Sequence, residues 1–91
     1  MKLAWDPRKA ARNLKKHGVS FEEAATCFDD PKGCYFRNDA ASYEDRLILI
    51  AVSKERRLLF VVHAEVGRDV IRIVSARKAS SAQRRIYDGL D

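Results

Sequence analysis

The chain has 91 residues, of which 46% are hydrophobic and 34% are charged. This length fits one small domain with a single core, and the composition is that of an ordered globular protein rather than a disordered segment. No apolar run is long enough to span a membrane, and the first residues lack the basic and apolar regions of a signal peptide. We therefore expect one domain over residues 1–91, located in the cytoplasm.

The net charge of +5 is distributed unevenly along the chain. Residues 1–45 contain 8 Lys and Arg against 8 Asp and Glu, whereas residues 46–91 contain 10 against 5. The second half is therefore expected to face a polyanion or an acidic partner. A basic surface that serves only solubility explains the charge equally well on its own.

Cys27 and Cys34 are the only cysteines, and their spacing fits no zinc or redox motif. We expect two reduced thiols that act as small buried hydrophobic residues rather than a disulfide. The sequence also lacks a cluster of metal ligands and a Gly-rich phosphate loop. It therefore predicts neither a metal ion nor a cofactor.

Two helices are expected after a short edge strand at Lys2–Trp5. Asp6 is a good N-cap for the first helix, which runs from Pro7 to His17 and is ended by Gly18. Ser20 and Glu23 have the spacing of a capping box for the second helix, which is expected over Phe21–Phe28. Both helices are amphipathic and must pack on a sheet.

Lys16 and His17 have no structural role in this scheme. They lie in the last turn of the first helix, where the helix dipole favours cations, and Gly18 fixes the chain direction immediately after them. We therefore treat this pair as a candidate for chemistry.

The second half predicts an antiparallel meander followed by a helix. Lys32–Tyr43 reads as a loop with at most a brief strand around Tyr35 and Phe36. Three β-rich runs joined by hairpin-length links follow it, and Ser80 or Ser81 can cap a final helix. These elements are Leu47–Val52, Leu58–Ala64, Val70–Ala76 and a helix ending near Leu90. The predicted class is α+β, with an antiparallel sheet, two N-terminal helices and a C-terminal helix.

Arg72 stands in the middle of a strand that otherwise contains Val and Ile. A buried arginine there is costly unless it faces a groove or meets an anion, so Arg72 is a candidate site residue. Regular alternation places Arg72 and Arg77 on opposite faces of the strand. The two can converge if Arg77 lies past the end of the strand, where alternation no longer applies, and residues 75–78 are a plausible strand exit.

Three further candidates lie near the same end of the predicted sheet. A hairpin centred on Val66-Gly67 places His63 opposite Val70 and on the face of Arg72. Glu44 and Arg46 begin the first long strand, and whether Arg46 shares the face of His63 depends on one residue of register. An isolated histidine at such a position is more often hydrogen-bonded or solvent-exposed than catalytic.

The candidates together supply the groups that metal-independent RNA cleavage needs. The reaction requires a base for the ribose 2′-hydroxyl, cations for the phosphorane and an acid for the leaving 5′-oxygen. The residues concerned are Lys16, His17, Glu44, Arg46, His63, Arg72 and Arg77. Any basic domain contains such residue types, so this inventory alone does not distinguish a nuclease from a binding protein.

Four segments resemble the BrnT-like toxins of type II toxin–antitoxin systems. They are W-D-P-x-K-A-x-x-N-x-x-K-H-G-V-S-F-E-E-A at 5–24, E-x-R at 44–46, V-V-H-x-E at 61–65 and I-R-I-V-S-A-R-K-A at 71–79. The resemblance implies a RelE-like ribonuclease fold and a bacterial toxin that blocks translation. It also implies neutralisation in a hetero-oligomer by a small BrnA-like antitoxin, whose own ribbon–helix–helix domain binds operator DNA.

Within such a site we assign the arginines to phosphate binding and Lys16 to charge stabilisation. We expect proton transfer from among His17, His63 and Glu44, without deciding which is acid or base. Val70 and Ser81-Ala82-Gln83 stand where relatives often carry charged residues, which is expected to weaken the hold on phosphate. The alternative is a non-catalytic module of the same fold that binds RNA or the antitoxin, or that only receives an acidic segment of another protein.

Overall fold

The computed structural model describes residues 1–38 and 46–89. In this part of the chain, five strands form one sheet in the order β1-β5-β4-β3-β2. The elements are β1 (Lys2–Ala4), α1 (Pro7–His17), α2 (Phe21–Thr26), a 3₁₀ turn (Cys27–Asp29), β2 (Cys34–Asn38), β3 (Arg46–Val52), β4 (Leu58–Glu65), β5 (Val70–Lys78) and α3 (Ser81–Tyr87). No helix among the described residues is both long and apolar enough to cross a membrane.

The predicted meander is confirmed for β3, β4 and β5, and it extends further than the sequence indicated. β2 is a strand of five residues that pairs antiparallel with β3, where only a brief strand was expected. The expected edge strand, β1, pairs with β5 in parallel, so the sheet is not wholly antiparallel.

Element ends differ from the predictions by two residues or more at three places. α2 ends at Thr26 because the Cys27 N–H bonds both the Ala24 and Ala25 carbonyls, which tightens the next turn into a 3₁₀ turn. β5 continues to Lys78 instead of stopping at Ala76. α3 begins after its N-cap Ser80 and ends at Tyr87, and the expected end near Leu90 lies outside the described residues.

The junction between α1 and α2 forms largely as predicted. Asp6 caps α1 by accepting a hydrogen bond from the Arg8 N–H at 2.8 Å. Gly18 ends the helix with a φ of 70°, a left-handed conformation that glycine adopts without steric cost. Ser20 caps α2 by accepting from the Glu23 N–H at 3.0 Å, but the Glu23 carboxylate is directed elsewhere. The junction is therefore a sharp and fixed corner.

The hydrophobic core lies between α2 with its flanking residues and one face of the sheet. The buried residues are Val19, Phe21, Ala24 and Cys27 on the helical side and Leu49, Ala51, Leu59, Val61, Ile73 and Ala76 on the sheet. Cys27 and Cys34 are both free thiols. Burial raises the pKa of the Cys27 thiol to about 12, which makes it an inert part of the core.

Asn13 closes the part of the β5 edge that β1 does not cover. This role of Asn13 was not predicted from the sequence. β1 pairs only with Val70–Arg72, and α1 lies along the rest of the β5 edge. The Asn13 amide donates to the carbonyls of Ala76 at 2.8 Å and Val19 at 2.9 Å, and its oxygen accepts from the Ala76 N–H at 3.1 Å. This buried side chain therefore replaces a neighbouring strand at Ala76.

α3 is fixed at both ends. Ser80 and Gln83 form a full capping box at its start. At its end the Tyr87 hydroxyl donates to the Asp30 carboxylate at 2.7 Å, and the same carboxylate accepts from the Val52 N–H at 2.9 Å. The bond to Asp30 raises the pKa of Tyr87 to about 12, so the phenol keeps its proton. α3 is thereby tied to β3 and to the turn before β2.

Candidate nucleic-acid interface

The sheet has a core face and an opposite face that carries the arginines. Residues directly opposite one another on paired strands share a face, so the register assigns each residue. The outer face includes Arg46, Ile48, Ile50, Phe60, Val62, Ala64, Arg72, Ser75 and Arg77. Arg46, Arg72 and Arg77 therefore lie on one side of the sheet, away from α2.

A β-bulge brings Arg72 and Arg77 to the same face. Val62 pairs with Ser75 while His63 pairs with Ile73, so Val74 is an extra residue in β5. The extra residue reverses the alternation between Arg72 and Arg77. Arg77 lies inside β5, so the two arginines share a face through the bulge and not, as the sequence suggested, because Arg77 lies past the strand end.

Arg46 and Arg72 flank Ala64 in one row across three strands. Ala64 pairs with Arg46 on one side and with Arg72 on the other, and only 2% of its surface is exposed. Adjacent strands are ~4.8 Å apart, which places the two arginine Cα atoms about 10 Å from each other. Because the residue between them is small, the two arginines are direct neighbours on this face and their guanidinium groups are near enough to share one anion.

Arg77 is held by contacts to β4 and to the first turn of α3. Its guanidinium carbon lies 4.2 Å from the centre of the Phe60 ring. Its Nη1 donates to the Gln83 side-chain oxygen at 3.3 Å and to the Lys78 carbonyl at 3.2 Å. These partners are neutral, so Arg77 keeps its positive charge uncompensated by them.

Lys16 and His17 line a groove of about 290 Å³ between α1 and β5. The other lining residues are Lys9, Arg12, Asn13, Val74 and Ser75. Ser75 also belongs to the outer face, in the same strand as Arg72 and Arg77. The groove therefore borders the outer face at Ser75.

An ion pair between the half-buried Arg57 and the buried Glu23 fixes the end of α1 that carries Lys16 and His17. Arg57 forms a bidentate pair with the Glu23 carboxylate, and its Nη2 also donates to the Gly18 carbonyl at 3.2 Å. Ser53 donates to the same carboxylate at 2.7 Å. The hydrogen bond from Arg57 lowers the pKa of Glu23 below its ordinary value of 4.5. This network joins the α1–α2 corner to the β3–β4 turn.

Acidification should remove the stabilisation that Glu23 provides. Because its pKa is lowered in the folded state, the contribution is fully present above pH 4.5 and is lost as the pH falls through the folded-state pKa. Glu23→Gln should therefore be less stable than the parent at about pH 6, and the difference in urea unfolding free energy should narrow toward about pH 3. The exposed neighbour Glu22 provides the control. Glu22→Gln should change the unfolding free energy only slightly, and this change should not narrow between about pH 6 and about pH 3. If the difference in unfolding free energy between Glu23→Gln and the parent did not change with pH, the ionised Glu23 carboxylate would not be the source of this stability.

His63 lies on the core face, so the expectation that it shares a face with Arg72 was wrong. The turn is a three-residue loop at Gly67–Asp69 in which Gly67 and Asp69 both have a φ of 64°. Its centre is Arg68 instead of Val66-Gly67, and this shift places His63 opposite Ile73. Arg46 pairs with Ala64 and is likewise on the face opposite to His63.

His63 is packed among aromatic rings. Its ring centroid lies 4.9 Å from that of Phe28 and 6.1 Å from that of Tyr35, and 1% of the residue is exposed. Burial lowers the pKa of His63, which favours the neutral imidazole. Its Nδ1 has no hydrogen-bond partner among the described residues. We therefore leave His63 out of the site proposed below.

Replacing His63 with phenylalanine should leave RNA cleavage within about threefold of the parent rate, because the imidazole is separated from the outer face by the sheet. Cleavage rate per folded molecule is the measurement, with urea unfolding to report any loss of stability from the altered core. Leu47→Ala, which also alters the core face beside His63 on β3, is the matched control. A His63→Phe protein with parent-like stability and strongly reduced cleavage would return His63 to the catalytic set.

Glu44 lies outside the described residues, so its predicted place beside Arg46 stays a prediction. Among residues 1–38 and 46–89, no three His, Cys, Asp or Glu side chains converge in a way that could hold a metal ion. Sequence reasoning missed Asn13 and the Glu23–Arg57 pair. Asn13 carried one usable signal, since asparagine is a poor helix former and its position inside α1 indicates a tertiary hydrogen-bonding role.

Comparisons with known proteins agree with this fold. Residues 5–83 match the family described as "Ribonuclease toxin, BrnT, of type II toxin-antitoxin system". The structure is similar to the crystal structure of the Brucella abortus ribonuclease toxin BrnT at 1.1 Å resolution, with 26% sequence identity, a TM-score of 0.69, and coverage of 89% of this chain and 99% of that one. A comparison with curated proteins gives no match. The α+β class is confirmed, the RelE-like relationship stays a prediction, and the chain belongs to the BrnT family of ribonuclease toxins of type II toxin–antitoxin systems.

Proposed function

We propose that this toxin is an endoribonuclease that cleaves RNA without a metal ion, through attack of a ribose 2′-hydroxyl on the neighbouring phosphodiester. Its family supports ribonuclease activity in general terms. The observation that carries the mechanism is the row of Arg46, Ala64 and Arg72 on the outer face, with Arg77 on the same side of the sheet. Such a row supplies cationic donors for an anion that gains charge during the reaction.

Arg46 and Arg72 hold the scissile phosphate above Ala64 in this mechanism. The 2′-oxygen forms a bond to phosphorus, the bond from phosphorus to the 5′-oxygen breaks, and the product ends in a 2′,3′-cyclic phosphate. The phosphorane between these steps carries additional negative charge, which guanidinium groups stabilise more strongly than they stabilise the substrate. Arg77 binds a flanking phosphate, because it lies further along β5.

Proton transfer is assigned to Glu44 and His17. A carboxylate can accept the proton of the 2′-hydroxyl, and an imidazolium can donate a proton to the leaving 5′-oxygen. His17 is half-buried in the groove beside Lys16, which adds positive charge near the leaving group. Glu44 precedes Arg46 by two residues in the chain. Because His63 is buried, Glu44 and His17 are the two remaining candidates for proton transfer.

A protein antitoxin is the expected partner of a type II toxin, and we propose a BrnA-like antitoxin that forms a hetero-oligomer with this chain in the cytoplasm. An antitoxin that covers the outer face would exclude RNA from the arginines. Cleavage of cellular RNA by the free toxin would block translation, so release from the antitoxin sets the activity.

The direct test is cleavage by the purified chain, free of antitoxin, in the presence of EDTA. We expect fragments that end in a 2′,3′-cyclic phosphate, and no cleavage at a site that carries a 2′-deoxyribose. The alternative, a non-catalytic module, predicts salt-sensitive RNA binding without products. Binding without products would therefore overturn the proposal, and cleavage that EDTA abolishes would overturn its metal-independent form.

A further inference from the structure

The groove on α1 contains more positive charge than the proposed reaction uses. Lys9 and Arg12 line it together with Lys16 and His17, and α1 contains no acidic residue. None of these four side chains forms an ion pair with a described residue. The mutual repulsion of Lys9, Arg12 and Lys16 is therefore not relieved by the described part of the protein.

Basic side chains on a helix are usually only solvated, but the position of these side chains indicates a binding surface. Lys9, Arg12 and Lys16 follow a spacing of three and four residues, which aligns them in one stripe along the helix. The stripe faces a concave surface whose sheet side is Val74 and Ser75, at the β-bulge. Ser75 connects this groove to the outer face, so a strand bound at Arg72 can continue into it.

We propose that this groove binds the phosphate backbone of the RNA next to the scissile phosphate, with Lys9 and Arg12 as phosphate contacts outside the catalytic set. The inference rests on the proposed function, which places RNA on the outer face. Lys9 and Lys16 are seven residues apart, about 10 Å along the helix axis. At the ~3.4 Å per nucleotide of a stacked strand, this length covers about three phosphates.

The chemistry of the groove fits nucleic acid better than an acidic protein segment. Val74 is the one hydrophobic residue among the seven that line it. Protein interfaces depend on buried apolar or aromatic anchors at their centre, and this lining offers one hydrophobic side chain to contact them. Phosphates need cationic donors alone, and Lys and Arg contacts to phosphate fix the register of a bound strand without selecting its sequence.

The test compares two pairs of substitutions that remove the same charge from the same helix. Lys9→Ala with Arg12→Ala alters the groove, whereas Arg8→Ala with Lys15→Ala alters exposed residues that do not line it. The probe is a fluorescent single-stranded RNA with 2′-O-methyl groups throughout, which cannot be cleaved by its own 2′-oxygen. Its Kd is measured by anisotropy over a series of salt concentrations.

The groove pair should weaken binding about tenfold at low salt and reduce the slope of log K against log salt by about 1.4, since each phosphate contact on single strands contributes ~0.7. The control pair should stay within about twofold, with the slope unchanged. On cleavable RNA, the groove pair should raise KM and leave kcat unchanged, because its contacts are equal in the ground and transition states.

Each other outcome overturns the groove assignment. Equal weakening by both pairs would mean that only net charge matters, and an unchanged slope in the groove pair would mean that RNA does not enter the groove. Loss of antitoxin binding with unchanged RNA binding would assign the groove to the protein partner instead. These results are separable from the proposed function, which is judged by whether the parent protein yields cyclic-phosphate products in EDTA.

Discussion

Replacing Arg72 with alanine should reduce the rate of RNA cleavage by about 10²- to 10³-fold, the usual cost of removing one donor to a developing oxyanion. The fold should survive, because Arg72 lies on the outer face and its β5 neighbour Ile73 supplies the core contact. In cells, induction of the variant should no longer arrest growth. Undiminished cleavage or growth arrest would show that Arg72 does not act on the scissile phosphate.

Arg68 provides the matched control for this substitution. It is an exposed arginine in the turn between β4 and β5, so Arg68→Ala removes the same charge close to Arg72 in the sequence. The control should cleave RNA within about twofold of the parent rate, as expected for a distant charge under salt screening. Thermal unfolding of both variants separates a loss of chemistry from a loss of fold.

The proposal that Arg46 and Arg72 bind one phosphate also predicts that their substitutions are not additive. If both guanidinium groups hold one phosphate above Ala64, removal of the second arginine should cost less than removal of the first. The double variant should therefore cleave RNA faster than the product of the two single effects predicts. Strict additivity would mean that the two arginines contact different phosphates.

The helices and strands were predictable because their signals are local. Asp6, Gly18 and Ser20 act at the ends of α1 and α2 through bonds to nearby backbone groups, and each was identified from its residue type and spacing. β2 was underestimated because it is an edge strand. Its Tyr35 and Phe36 are largely exposed, so its sequence lacks the continuous apolar run of a central strand.

The arrangement of the site was harder to predict because register is not a local property. The three-residue loop at Gly67–Asp69 and the extra residue Val74 each change which face a side chain occupies. The first removes His63 from the arginine face, and the second brings Arg77 onto it. The site residues were predicted from their types alone. Because the alternation was wrong at His63 and at Arg77, the sequence did not predict which of these residues share a face.

Replacing Asn13 with alanine should lower the free energy of unfolding by about 2–4 kcal/mol. The change removes three hydrogen bonds and leaves the N–H and C=O of Ala76 and the C=O of Val19 buried without that partner, each at a cost of ~1–3 kcal/mol that is not additive. The higher helix propensity of alanine offsets about 0.5 kcal/mol of this loss. Urea unfolding measures the difference.

Lys15→Ala is the control for Asn13, because it alters an exposed residue of the same helix and should change stability by less than about 0.5 kcal/mol. A second readout tests the edge itself: hydrogen exchange at the Ala76 amide should accelerate in Asn13→Ala more than exchange in β3, since only that amide loses its partner. Because Asn13 also holds α1 beside Ser75, the variant should bind RNA more weakly in the groove. Equal stability of the two variants, with unchanged exchange at Ala76, would show that the β5 edge is closed by other means.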